Sequence, residues 1–247
     1  MLRSFDKPFD VVVVGSTGGI GSALVDRLSL SPDINHIWML SRRKPATELD
    51  NGSWIALNIE DETSIANAAT IIKRDSHNLR IVVSAVGILH DGGDLQPEKT
   101  WRSMTAKNMH RIFGVNTIGP ALLAKHMIPL MAREGKSVFA ALSARVGSVS
   151  DNRTGGWYGY RASKAALNMI IKSLAIEWAR KSTDAVCIGL HPGTVATGLS
   201  GPFRRGTPPE KLFDPVYAAE RLLTVIEEKT GEDSGRCFAW DGQEVLP

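Results

Sequence analysis

Val11-Val12-Val13-Val14-Gly15-Ser16-Thr17-Gly18-Gly19-Ile20-Gly21 decides the fold class of this 247-residue chain. Four β-branched residues in a row suit a strand buried on both faces, as the strands of parallel sheets are. The glycines then mark a sharp turn, and residues 20–30 read as an amphipathic helix. A strand that turns through glycines into a helix aims backbone N–H groups at the helix N-terminus, the position for a pyrophosphate. Glycine permits unusual backbone angles and a close approach of phosphate. The spacing G-x-G-x-x-G does not fit. Both G-x-x-x-G-x-G through Gly15, Gly19 and Gly21 and G-x-x-G-x-x-G through Gly15, Gly18 and Gly21 do. The stretch predicts nucleotide binding at Gly15, Ser16, Thr17, Gly19, Ile20 and Gly21.

Outward from this turn, short apolar runs alternate with amphipathic stretches. The pattern predicts strands over 37–40, 54–57, 80–84, 137–142, 185–190 and 236–240. Between them it predicts helices over 62–74, 97–111, 115–133, 157–180 and 216–228. Strands alternating with helices imply an α/β fold, a doubly wound parallel sheet of about seven strands with helices on both faces. No break is long enough to be a linker, so residues 1–247 read as a single domain. Loop residues cluster over 148–156 and 193–215, and the latter reads as the substrate-loop region. In such sheets these loops lie at the carboxyl ends of the strands, where ligands bind.

The second strand ends in Leu40-Ser41-Arg42-Arg43. A carboxylate there would accept hydrogen bonds from ribose hydroxyls. A serine followed by two guanidiniums suits a 2′-phosphate better, because arginine meets phosphate in a bidentate, charge-assisted way. Ser41 and Arg42 therefore favour NADP(H) over NAD(H).

Tyr160-Arg161-Ala162-Ser163-Lys164 places a phenol and an ammonium four residues apart on one helical face. A phenol has an unperturbed pKa of ~10, and a cation beside it favours the phenolate. Reaching ~7 needs about 4 kcal/mol at ~1.4 kcal/mol per unit. One exposed ion pair supplies only ~0–1 kcal/mol. The pair must be partly buried, or helped by a second positive charge such as an oxidised nicotinamide.

Composition narrows the classes. A 43% hydrophobic content supports a sizeable core and a net charge of +3 is too small for a nucleic-acid surface. The Arg42-Arg43 and Arg204-Arg205 pairs read otherwise as solvated surface. Cys187 and Cys237 lack metal-ligand spacing and read as the reduced cysteines of a cytoplasmic protein. The six histidines show no ligand spacing, so no metal is expected. No apolar run reaches membrane-spanning length and residues 1–10 lack the apolar block of a signal peptide.

Glycine turn and Tyr-x-x-x-Lys, in this order and at this separation, resemble the short-chain dehydrogenase/reductase family across essentially the whole chain. The length suits its compact form, and the context of 157–168 is similar to its carbonyl-reductase-like and C-factor-like members. The resemblance implies hydride transfer between a nicotinamide cofactor and a carbonyl or alcohol. It implies Tyr160 as general acid/base and Lys164 as the group that lowers its pKa and binds ribose. Asn116, within Val115-Asn116-Thr117, looks like the family's helix asparagine, which supports a water linked to the lysine. Pro192, Gly193, Val195 and Thr197 resemble the loop at the nicotinamide end. Asn58-Ile59 stands where an acidic residue commonly meets the adenine amine. Ala85 and Gly87 stand in the segment where Asn-Asn-Ala-Gly is usual. The family's serine lies three residues before a glycine; counting back from Gly147 gives Ala144, with Ser143 one place earlier. Either a bulge turns Ser143 inward, the reading preferred here, or Ser148 substitutes, or the site lacks the serine. A homodimer or homotetramer follows by analogy. A cofactor-binding, C-factor-like signalling or regulatory protein with little turnover is the alternative.

Overall fold

The valine run forms β1 (Phe9–Val14), every residue of which is buried. Its side chains alternate between two cores, as a pleated strand requires. Val11 and Val13 join the cluster on one face of the sheet, Val12 and Val14 the cluster on the other. The computed structural model describes residues 2–203 and 208–247. The pair Arg204-Arg205 and part of the 193–215 region lie outside the described residues.

Around β1 stand β2 (Ile34–Ser41), β3 (Gly52–Ala56), β4 (Leu79–Ser84), β5 (Ser137–Leu142) and β6 (Ala185–His191). Two short strands, β7 (Thr194–Val195) and β8 (Leu212–Phe213), pair with each other, and β9 (Cys237–Ala239) completes the main sheet. The seven-stranded sheet runs β3-β2-β1-β4-β5-β6-β9, all parallel. Six α-helices are described: α1 (Gly19–Ser29), α2 (Glu62–Asp75), α3 (Ala106–Phe113), α4 (Gly119–Met127), α5 (Tyr158–Ala179) and α6 (Pro215–Glu228). Leu24 and Leu28 of α1 and Leu222 and Ile226 of α6 cover one face with Val11, Ile81, Val138 and Ile188. Ile65 of α2, Leu123 of α4 and Leu167 and Ile171 of α5 cover the other with Val12, Val82 and Phe139. This is the doubly wound α/β fold expected. The strand order reverses beside β1, where β1 pairs with both β2 and β4, and ligands bind at such switch points.

The predicted elements differ from the observed ones in two informative places. The helix expected over 97–111 begins only at Ala106; residues 97–105 form a loop with one 3-10 turn, because Glu98 is buried there against α5. The helix expected over 115–133 is interrupted at both ends. A wide π turn spans Gly114–Ile118, and a 3-10 turn over Ile128–Leu130 follows α4. Pro129 inside that turn has no N–H to continue an α-helical ladder.

The turn from β1 into α1 is sterically closed. Gly15 has φ +83°, and a Cβ on Gly21 would collide with the Gly15 carbonyl oxygen. Gly21→Ala is expected to destabilise the fold by about 1–3 kcal/mol, the usual cost of overpacking, seen as a lowered urea midpoint. An unchanged midpoint would contradict this account of the turn.

Candidate active site

The carboxyl edge of the sheet carries α5, and three residues of one α5 face, Tyr160, Lys164 and Asn168, look toward it at successive turns. Tyr160 is 8% exposed and packs in an apolar cluster with Leu89 and Ala144, walled by Val146, Trp157, Leu199 and Phe203. Burial pushes its phenol up to about 12. Lys164 is 2% exposed and donates from Nζ to the Leu142 carbonyl at 2.7 Å. Burial lowers it to about 8, with the Cys237 thiol opposing. Its ammonium sits 5.7 Å from the centre of the Tyr160 ring. As arranged, the phenol keeps its proton and the lysine titrates near neutral pH.

Asn116 is fully buried in the π turn. Its Oδ1 accepts from the Ile88 amide at 2.7 Å, and its Nδ2 donates to the Ile88 carbonyl and to Ser163 Oγ. Thr117 Oγ1 donates to the Ser163 carbonyl, and Ser163 Oγ to that of Tyr160. The segment after β4, the π turn and the start of α5 are thus tied together. A Cβ on Gly87 would lie 3.6 Å from Lys164 Nζ and 3.7 Å from Asn116 Oδ1. Gly87 therefore lies against both the lysine and the asparagine.

Ser143 is bonded to the α5 face that carries Tyr160, at Asn168 two turns along. Phe139 and Ala141 face the α5 side of the sheet, and strand alternation carries Ser143 to that same side. There its hydroxyl donates to Asn168 Oδ1 at 2.7 Å. The residue beside Tyr160 and Leu89 is Ala144. The Ser148 hydroxyl is shared with Ser150 Oγ and the Asp151 amide.

Glu98 is a part of the site that sequence reasoning missed. It is 3% exposed; its carbonyl accepts from the Trp157 amide at 2.6 Å and its Oε2 from the Gly159 amide at 3.2 Å. Trp157 caps α5 without a side-chain hydrogen bond, and it alone among the described non-glycine residues has a positive φ, 51°. Such a backbone costs roughly 1–3 kcal/mol and persists where its surroundings over-determine it. Glu98 supplies that constraint by taking two N–H groups a helix N-terminus leaves unpaired. The carboxylate also meets the positive end of the α5 dipole. Trp157 so placed stands edge-on to Tyr160 at 6.2 Å and to Phe203 at 5.4 Å. Only Pro97 preceding an acidic residue marked this in the sequence, and that resembles an ordinary helix start.

The glycine turn meets the requirements of a dinucleotide. The N-terminus of α1 has no side-chain cap, and Ser16 Oγ is buried without a partner. Ala85 backs the turn: its carbonyl would lie 3.0 Å from a Cβ on Gly15, and its amide donates to Val14. Ser16 and Thr17 line a cavity of about 360 Å³ with Ser22, Arg43 and Lys44. Arg42 does not line it. Ser41 is buried under the turn, donating to the Arg43 carbonyl at 2.6 Å and accepting from Trp54 Nε1. Ile20 packs on the core beneath. Thr197 Cγ2 would lie 2.5 Å from a Cβ on Gly19, so the 192–197 loop packs directly on the turn. Within that loop Pro192 follows β6, Gly193 (φ +76°) packs under the Phe213 ring, and Val195 is buried. Asn58 is exposed with its Oδ1 accepting from the Glu60 amide, and Ile59 is buried against Gly119. Among the described residues no group of three or more His, Cys, Asp or Glu could hold a metal.

Residues 10–207 match the family model for short chain dehydrogenase. The C-signal protein of Myxococcus xanthus is 34% identical over 138 residues, covering 56% of this chain and 78% of that one. An uncharacterised oxidoreductase of Schizosaccharomyces pombe is 25% identical over 254 aligned residues, covering 95% and 96%. Among solved structures, the NADPH-bound carbonyl reductase from chicken fatty liver superposes with a TM-score of 0.83 at 24% identity, covering 98% and 100%.

Glu98→Ala should cost about 1–3 kcal/mol by leaving the buried Gly159 N–H unpaired, measured by urea unfolding. Glu98→Gln, which keeps an acceptor, should recover part of the loss. Equal stability of all three proteins would show that the carboxylate does not hold the first turn of α5.

Proposed function

The chain belongs to the short-chain dehydrogenase family, the NAD(P)-dependent dehydrogenases and reductases, and on that premise we propose that it reduces carbonyl compounds with Tyr160 as the proton donor. The observation that carries this reading is a buried phenol with a buried lysine ammonium 5.7 Å from its ring centre, on one face of α5. A reductase needs an acid at the carbonyl oxygen; burial keeps the Tyr160 phenol in its protonated form, and a neighbouring cation must offset the rise in its pKa for the transfer to be efficient. Lys164, charged below about 8, stabilises the phenolate left behind. Asn116 holds the Ile88 backbone and stands with Lys164 at Gly87, where it would support proton resupply. Gly15, Ser16, Thr17, Gly19 and Gly21 would hold the pyrophosphate of NADP(H), Ala85 and Gly87 the middle of the cleft, and Pro192, Gly193, Val195 and Thr197 the nicotinamide end. When bound, the reduced nicotinamide supplies the hydride. Tyr160→Phe should abolish turnover of aldehydes and ketones while leaving NADPH binding within about threefold. Activity retained in that variant would refute the role. In the reductive direction kcat/KM should fall as pH rises through about 8, because Lys164 then loses its charge while Tyr160 keeps its proton. A rate rising through that range would contradict it.

Arg43 and Lys44 on the cavity beside Ser16 and Thr17 favour NADP(H) over NAD(H). Fluorescence titration of Arg43→Ala should show weakened NADPH binding and unchanged NADH binding; equal weakening of both would remove the preference. The similarity to C-signal and the alanine at position 144 support the second reading, a cofactor-binding signalling protein with little turnover. Bound NADPH with no reduction of a broad carbonyl panel would favour it.

A homodimer or homotetramer through α4 and α5 is supported by Ile118, Met169 and Ile176, each more than half exposed, the last two sharing a helix face. Met169→Glu with Ile176→Glu should yield a monomer in light scattering, and an unchanged mass would exclude this interface. A cytoplasmic location is consistent with two free, buried cysteines; recovery from a secreted fraction would contradict it.

A further inference from the structure

The end of β5 and the turn after it ride on α5 at three points around Lys164. The Leu142 carbonyl accepts from Lys164 Nζ at 2.7 Å. Ser143 Oγ donates to Asn168 Oδ1 at 2.7 Å, and Asn168 stands one turn after Lys164 on the same helix face. Gly147 meets the helix backbone, where a Cβ would lie 2.7 Å from Lys164 Cβ. The peptide between Leu142 and Ser143 is therefore held from both sides. Its N–H donates to the Leu190 carbonyl on β6 at 2.8 Å, and its C=O receives the ammonium. A glycine on β6 makes room for this contact: a Cβ on Gly189 would lie 3.4 Å from Asn168 Oδ1 and 3.2 Å from Cys237 Sγ.

An ammonium carries three donors and no acceptor. Lys164 has one hydrogen-bond acceptor among the described residues, the Leu142 carbonyl, so where that carbonyl points decides where the ammonium sits. We propose that Asn168 is a positioning residue of the reaction, which by holding the Ser143 hydroxyl aims the Leu142 carbonyl at Lys164 and fixes the ammonium near Tyr160. The proposal rests on the reductase reading above. It gives the Ser143 hydroxyl the work of a clamp on the helix that carries the lysine. The titratable groups facing the ammonium are Tyr160, whose ring centre is 5.7 Å away, and the Cys237 thiol on β9. Burial pushes the phenol up to about 12 and the thiol up to about 11, so neither titrates near pH 8. Burial brings Lys164 down to about 8. A hydrogen bond to the ammonium favours the charged form, so loosening that bond moves the lysine further down.

The test is the pH dependence of kcat/KM with NADPH, on a carbonyl compound that wild type reduces, for wild type, Asn168→Ala, Ser143→Ala and Ser143→Thr. Both alanine variants should move the falling limb from about 8 to lower pH. The expected shift is about one unit, the size given by weakening one hydrogen bond to a charged group. Ser143→Thr, which keeps a hydroxyl, should return the limb toward its wild-type position. An unmoved limb in Asn168→Ala would overturn the proposal. So would a loss in Ser143→Ala that is equal at every pH, the mark of a serine that touches the substrate. Titration of the lysine side chains by NMR, with Lys164 assigned through Lys164→Arg, reads the same shift without turnover. If wild type binds NADPH and reduces no carbonyl compound, the reductase reading falls, and the NMR titration decides the clamp by itself. A Lys164 that titrates lower in both alanine variants supports it, and one that titrates as in wild type overturns it.

Discussion

Tyr160 and Lys164 are both buried on one face of α5, and that shared burial governs the chemistry open to this chain. A phenol and an ammonium lose solvation together at the carboxyl edge of the sheet. The phenol moves away from ionisation and the ammonium toward neutrality. Each shift is the mark of desolvation acting on the charged form. The surroundings exist to hold that arrangement: the π turn places Asn116 on the Ile88 backbone, Thr117 and Ser163 pin the start of α5, and Glu98 fixes its first turn.

The lysine is aimed less directly than its spacing implies. Its ammonium donates to the Leu142 carbonyl and sits near the ring rather than pairing with the hydroxyl. Burial therefore outweighs the cation in setting the phenol's proton affinity. Such a tyrosine holds its proton at neutral pH and gives it up only where a cation stabilises the phenolate. Taking one at neutral pH demands further positive charge in the cleft, and an oxidised nicotinamide carries that charge.

The fold was legible because its strands are short, apolar and buried on both faces, as in Val11 to Val14, and because glycine at the first turn has a steric reason. The helix boundaries that misled were tertiary in origin. Residues 97–105 have helix-compatible composition, but burial of Glu98 against Gly159 holds them as a loop. At the site, Tyr160, Lys164 and Asn116 could be read from spacing and resemblance. The choice between Ser143 and Ala144 could not, since one residue of register exchanges the two faces of a strand. The same uncertainty separates Arg42 from Arg43, of which only the latter lines the cavity beside the glycine turn.

The central claim is that burial keeps Tyr160 protonated until positive charge joins it. Ultraviolet phenolate difference titration of wild type against Tyr160→Phe, without cofactor and with saturating NADP⁺, tests this directly. The account predicts that without cofactor the Tyr160 phenolate appears only near pH 12, and that NADP⁺ brings it to distinctly lower pH. A Tyr160 that ionises near neutral pH without cofactor, or one that NADP⁺ leaves unmoved, would contradict it.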